Sequence, residues 1–406
     1  MNLNNLGLLG IYNEINEINE SKQVPNIMEL NLIYSKPTIN NYIFENDNSD
    51  RENVIKGNFP IKYDKDLGMY MIDIFIGNIN NQQCVSLILD MRQIDILIPT
   101  PCCINKGCLL NSNYGLYYFQ KSDTCEIPLE NKSSSKCNEM DCYTISLLQN
   151  PIDMRLITDF GIINKVDAMD YISFKENTHL YTINDEITKT NDRITNNRIK
   201  RTPLKLILGE DGEFDTYIPP TLGLGVGNVL SQNFIYFDLI NNFITFEKPN
   251  ININGAHILA KGNEYYSCIV ADILINNVKQ KINTTNITME LDIGINTINL
   301  PKQIYKIIMS YLQSYSMIPE TSNFWLGIPF KVSPKNINLP PIKLNILTRT
   351  GKMYEWILTK KQYIMVDNNG MVEFKIRLSD DNNIRMGNIG MIGKKIGVDV
   401  NGVYMF

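Results

Sequence analysis

Two aspartates in this chain sit in segments that read as divergent copies of one another. Val85 to Pro99 runs VSLILDMRQIDILIP and Ile287 to Pro301 runs ITMELDIGINTINLP, each with an Asp inside an apolar run and a Pro nine residues later. Asp90 and Asp292 are roughly 200 residues apart, about the length of one domain-sized half. One carboxylate from each half is the equipment for general acid–base hydrolysis of an amide. One takes a proton from water while the other, protonated, donates to the carbonyl oxygen. Like charges held close split their pKa values, so a single shared proton is the working state and neither residue suffices alone. Taken singly, each Asp reads as a turn or capping residue; the duplicated context singles out the pair.

Each carboxylate of such a pair needs a tight turn, in which a small hydroxyl residue and a Gly let backbone amides approach it. The first turn, Asp90-Met91-Arg92-Gln93, has neither, and the second, Asp292-Ile293-Gly294, keeps only the Gly. Hydroxyl groups that would brace the pair are therefore missing on both sides. Arg92 is the most damaging change, because a guanidinium beside the pair favours two charged carboxylates over one shared proton. The alternative is that Arg92 points to solvent and the turn is remodelled.

The elements that must position these residues are mainly strands. Tyr70 to Gly77, Cys84 to Leu89, Tyr266 to Ile275 and Tyr363 to Ile376 are apolar, β-branched runs punctuated by Gly and Asn. Helical periodicity is scarce, and Gln303 to Leu312, just after Pro301, is the best candidate. An all-β chain with a few short helices is expected. With 406 residues and 44% hydrophobic content it can bury a large core in two domains or one bilobal one. Residues 1–65, polar and Asn-rich, read as a leader or propeptide-like arm; 66–250 and 251–406 read as an N-terminal and a C-terminal lobe. Residues 175–201 read as a solvated surface insertion, with a processing site at Arg198 to Arg201 as the rarer alternative.

A formal charge of −5 without a basic block gives no footprint for nucleic acid. No run approaches the roughly eighteen apolar residues of a membrane span. Six of the eight cysteines, Cys102, Cys103, Cys108, Cys125, Cys137 and Cys142, are clustered in what reads as a disulfide-stapled insert. Zinc is the competing reading, but His179 and His257 lie elsewhere and two clean Cys-x-x-Cys pairs are lacking. Cys84 and Cys268 are left over in strand-like runs and read as inert buried thiols. Disulfides imply an oxidising compartment, the secretory pathway or the exterior, whereas the first thirty residues lack a signal-peptide pattern. Sequons at Asn131, Asn283 and Asn286 fit secretion but arise readily in so Asn-rich a chain.

From Tyr70 to its last residue the chain resembles a pepsin-family aspartic peptidase. Asp90 is followed by Ile96-Leu97-Ile98-Pro99 where the family has a Leu-Trp-Val-Pro type segment, and Ile157 to Phe174 is similar to the flap region, with Gly161 and Asp170 in register. Thr221 to Gly225 (TLGLG) resembles a Gly-Ile-Leu-Gly-Leu segment and Leu230 to Glu247 the strand pair after it. Asp292-Ile293-Gly294 looks like the second Asp motif, and Met386-Gly387-Asn388 through Gly397-Val398-Asp399 the closing element. The Cys-rich insert, with Ser133-Ser134-Ser135 before Cys137, is similar to that of nepenthesin-like and plasmepsin-type branches. The resemblance implies a bilobal pepsin-like fold with two β-rich lobes and a central cleft. It implies Asp90 and Asp292 as the dyad, Gly294 in the second turn, and residues 157–164 as the flap. Thr158 falls where the family has its flap Tyr, and Leu97 where it has its Trp partner.

Three functions follow as expectations. The first is a pseudopeptidase whose cleft binds a peptide or protein without cutting it. The second is an active endopeptidase with an Asp90/Asp292 dyad, and the third an interaction protein acting through its surface inserts. None calls for a metal or organic cofactor, and a monomer is expected.

Overall fold

The structure is a computed structural model. It describes residues 55, 57–78, 81–104, 115–128, 134–147, 155–158, 161–174, 201–210, 220–230, 234–248, 257–259, 265–282, 287–315, 330–331, 339–366, 371–379, 382–399 and 401–406. Within these the chain is mostly β-strand with a few short helices, as its strand-like segments and scarce helical periodicity led us to expect. The 175–200 stretch, the three sequons and Cys108 lie outside the described residues.

Alternation explains the strands. In Met69–Ile76, Ile72, Ile74 and Ile76 are buried while Asp73 and Phe75 between them are not. Turns form where the backbone tolerates left-handed torsions. Asn276 and Asn277, at φ 51 and 63, join Ser267–Ile275 to Val278–Lys279 as a two-residue hairpin. The helix Lys302–Tyr315 follows Pro301 and buries Ile304 and Ile308, one turn apart. No helix among the described residues is long and apolar enough to cross a membrane.

Two features of the organisation run across the expected boundaries. Residues 59–64, assigned to the polar arm, form the strand Phe59–Asp64, paired with Met69–Ile76 and with Phe243–Thr245. Its alternation, Phe59 and Ile61 buried and Lys62 exposed, is masked in the sequence by Asn-rich neighbours. A boundary at residue 250 also does not separate the sheets. Lys395–Asp399 returns to pair antiparallel with Phe234–Asp238, so strands from both sides of that boundary share one sheet.

A repeated topology underlies the rest. The first half contains five neighbouring strands in the order Met69–Ile76, Gln83–Asp90, Thr221–Gly223, Ile96–Pro99 and Thr202–Glu210. The second half places Ser267–Ile275, Thr288–Asp292, Ile384–Gly387, Ile298–Pro301 and Ile376–Ser379 in the same order. Parallel and antiparallel pairings match at each step. The duplication read around the two aspartates is thus a duplication of strand connectivity.

Candidate active site

Each aspartate is the last residue of a buried strand. After Asp90 the chain turns and returns as Ile96–Pro99, and after Asp292 as Ile298–Pro301. A third strand from far along the sequence fills the gap in each half. Thr221–Gly223 runs parallel to the first and antiparallel to the second, and Ile384–Gly387 does the same in its half. These registers set Gly223 opposite Asp90 and Gly387 opposite Asp292. Gly223 N–H donates to the Asp95 carbonyl and Gly387 N–H to that of Thr297, both at 3.0 Å and both five residues beyond the aspartate. Any side chain at either Gly would overlap the carbonyl it bonds, so the fit requires glycine there.

The carboxylates are enclosed, with Asp90 5% and Asp292 1% exposed. Oδ1 of Asp90 accepts the N–H groups of Arg92 at 2.7 Å and Gln93 at 3.1 Å. Oδ1 of Asp292 accepts the N–H of Gly294 at 3.0 Å. The two turns meet: a Cβ on Gly294 would stand 2.8 Å from the Asp90 carboxyl carbon. The structure thus brings together Asp90, Asp292, Gly294 and the Arg92 backbone.

The residue after each aspartate points the other way. Met91 and Ile293 are both 0% exposed and belong to the main apolar cluster, so these positions fill the core. Arg92 is half-buried rather than turned freely to solvent, and its guanidinium carbon lies 4.5 Å from the centroid of the Tyr265 ring, within cation–π range.

Two charged residues that sequence reasoning missed adjoin Asp292. Arg385 faces Glu290 and Asn299 across its two neighbouring strands, and its Nε lies 4.0 Å from Asp292 Oδ2. Glu290, buried, accepts a hydrogen bond from Asn383 Nδ2 at 3.0 Å. The signal was available: Glu290 precedes Asp292 by two and must share its face of the strand, and Arg385 directly precedes the Met386-Gly387-Asn388 element.

Thr158 and Gly161 face one another where Arg155–Thr158 pairs antiparallel with Gly161–Asp170. At the other end of that hairpin, fully buried Asp170 accepts hydrogen bonds from the hydroxyls of Tyr117, Ser122 and Thr124, the last two at 2.8 and 2.6 Å. Burial and the adjacent Asp170 carboxylate push the Tyr117 phenol well above its ordinary value. Midway along, Asp167 accepts the Lys205 and Lys165 ammonium groups at 2.7 and 2.9 Å. Burial alone would raise the Asp167 pKa, but the two cations outweigh it and hold the carboxyl below its ordinary range. Asp95 shifts upward, because burial there exceeds the opposing pull of Lys205.

Among the clustered cysteines, Cys102 bonds Cys142 and Cys125 bonds Cys137, and Cys103 is also disulfide-bonded. Of the remaining pair, Cys268 is buried, and burial drives its thiol pKa upward. Cys84 is exposed, contrary to the reading of it as a buried thiol, because its side chain falls on the outer face of Gln83–Asp90. No family model matches this chain, and no curated protein matches it.

Proposed function

We propose that this chain is a pepsin-like aspartic peptidase by descent, with two β-rich lobes and a central cleft that binds a peptide or protein without cutting it. The fate of the residues after the aspartates carries this reading. Met91 and Ile293 are core side chains, so neither position can offer the hydroxyl that would brace a dyad sharing one proton. Support also comes from the groups on the two carboxylates: Asp90 accepts the backbone N–H groups of Arg92 and Gln93, and the Arg385 guanidinium lies beside Asp292. Contacts of this kind favour two charged carboxylates, which leaves no acid to protonate a peptide carbonyl.

An active endopeptidase with Asp90 and Asp292 as acid and base is the second reading, favoured by the contact of Asp90 with Gly294 and by the burial of both carboxylates. The disulfides support an oxidising compartment, in the secretory pathway or outside the cell.

Binding is tested by passing peptides from a denatured protein over the immobilised full-length chain. The pseudopeptidase reading expects retention, lost in Gly294→Leu, which would force apart the two turns that meet at Asp90. Failure of the parent protein to retain any peptide, or unchanged retention by that variant, would count against it.

A further inference from the structure

We propose that Arg385 is a positioning residue that holds Asp292 in its ionised form and thereby removes the proton a cleaving dyad would share; this rests on reading Asp90 and Asp292 as a dyad. The repeated topology makes the argument. Gly387 stands opposite Asp292 as Gly223 stands opposite Asp90, so Arg385, two residues earlier on its strand, takes the place of Thr221. Thr221 faces Ile88, and Arg385 faces Glu290, the residue likewise two before the aspartate. On the following strand Thr221 faces Leu97, and Arg385 faces Asn299. A site that is uncharged in the first half therefore carries a guanidinium and a carboxylate in the second.

Alternation along a strand puts Glu290 and Asp292 on one face, and the register brings Arg385 to that same face. The Arg385 side chain is 19% exposed and the Asp292 side chain 2%, so the 4.0 Å separation of Nε and Oδ2 is poorly screened. Other groups act on the same carboxylate. The Gly294 N–H at 3.0 Å favours its charged form, while the carboxylates of Asp90 and Glu290 oppose it. Glu290 is itself bonded by Asn383. Asp90 already accepts two backbone N–H groups on Oδ1, which favours its charged form too. With Arg385 doing the same for Asp292, neither aspartate keeps a proton to donate.

The test is a pH titration of the full chain labelled with carbon-13 aspartate, with Asp292→Asn assigning the Asp292 signal. Arg385→Thr, which copies the first half, is expected to raise the protonation midpoint of Asp292 by about one pH unit or more, while Arg385→Lys stays close to the parent. Arg385→Leu replaces the Thr variant if that fails to fold. A midpoint unmoved in the uncharged variant overturns the proposal, and so does an equal rise in Arg385→Lys. A merely structural role would lower thermal stability without moving the midpoint. Peptide retention by the parent protein is scored separately. A shifted midpoint without retention keeps this role for Arg385 and sinks the binding reading; retention with an unmoved midpoint does the reverse.

Discussion

The carboxyl carbon of Asp90 lies 2.8 Å from the point where a Cβ on Gly294 would stand, so an aspartate of the first half rests directly against the turn of the second. Gly294 is required here for space, since its neighbour is a buried carboxylate held by two backbone N–H groups. Gly294→Ala must displace one turn or the other, and should lower unfolding free energy by about 1–3 kcal/mol in urea titrations. A loss below about 0.5 kcal/mol, the scale of an ordinary surface change, would mean that the turns are not in contact.

Asp170 gathers three hydroxyls from the segment between the disulfides and fixes one end of the 155–170 hairpin. Asp170→Asn keeps the shape but supplies one acceptor oxygen where two are in use. A loss of about 2–4 kcal/mol is expected by chemical denaturation, with Tyr117→Phe costing less. Equal effects of the two substitutions would contradict a shared centre at Asp170.

Lys394 gives a pH signature. Burial lowers its ammonium pKa to about 8, with the Trp356 ring centroid 4.8 Å away. The folded value lies below the unfolded one, so the unfolded chain binds more protons between about 8 and the ordinary 10.5. Stability contributed by this group therefore rises with pH through that window and is least below it. Lys394→Met should stabilise the protein at pH 7 by ~1–3 kcal/mol and flatten the rise. Thermal unfolding at pH 7 and pH 10 measures both; destabilisation at pH 7 would show that the ring attraction exceeds the burial cost.

The disulfides Cys102–Cys142 and Cys125–Cys137 close loops with sequence separations of 40 and 12. On chain entropy, replacing the first pair by serines should cost up to about 4 kcal/mol and the second about 3. Denaturant titration of the two double variants checks the order. Alkylation of the native protein followed by mass spectrometry should label exposed Cys84 and spare buried Cys268.

The strands were legible in the sequence wherever apolar and polar residues alternate, as around Ile72, Ile74 and Ile76, and so was the helix after Pro301. Phe59–Asp64 was not, because two buried residues amid polar neighbours give too weak a period. The insertion of Thr221–Gly223 beside Asp90 could not be read from periodicity at all. It joins residues more than a hundred positions apart, and only the TLGLG resemblance hinted at it. The aspartates were found because duplication repeated their surroundings. Glu290 was legible from its place two before Asp292 and Arg385 from its place before Met386-Gly387-Asn388, but that the two face one another appears only once the register is known. The donors to Asp170 lie together in one segment but far from Asp170 along the chain, which hides the pairing until the fold is known.

The most direct test of the central claim is proteolysis itself. The full chain is incubated at acid pH with a denatured protein mixture, with and without a pepstatin-like inhibitor, alongside Asp292→Asn. A binding cleft with an uncoupled dyad predicts no inhibitor-sensitive cleavage and identical peptide profiles for the parent and Asp292→Asn. Cleavage that the inhibitor blocks and Asp292→Asn abolishes would contradict the account and establish Asp90 and Asp292 as a working pair.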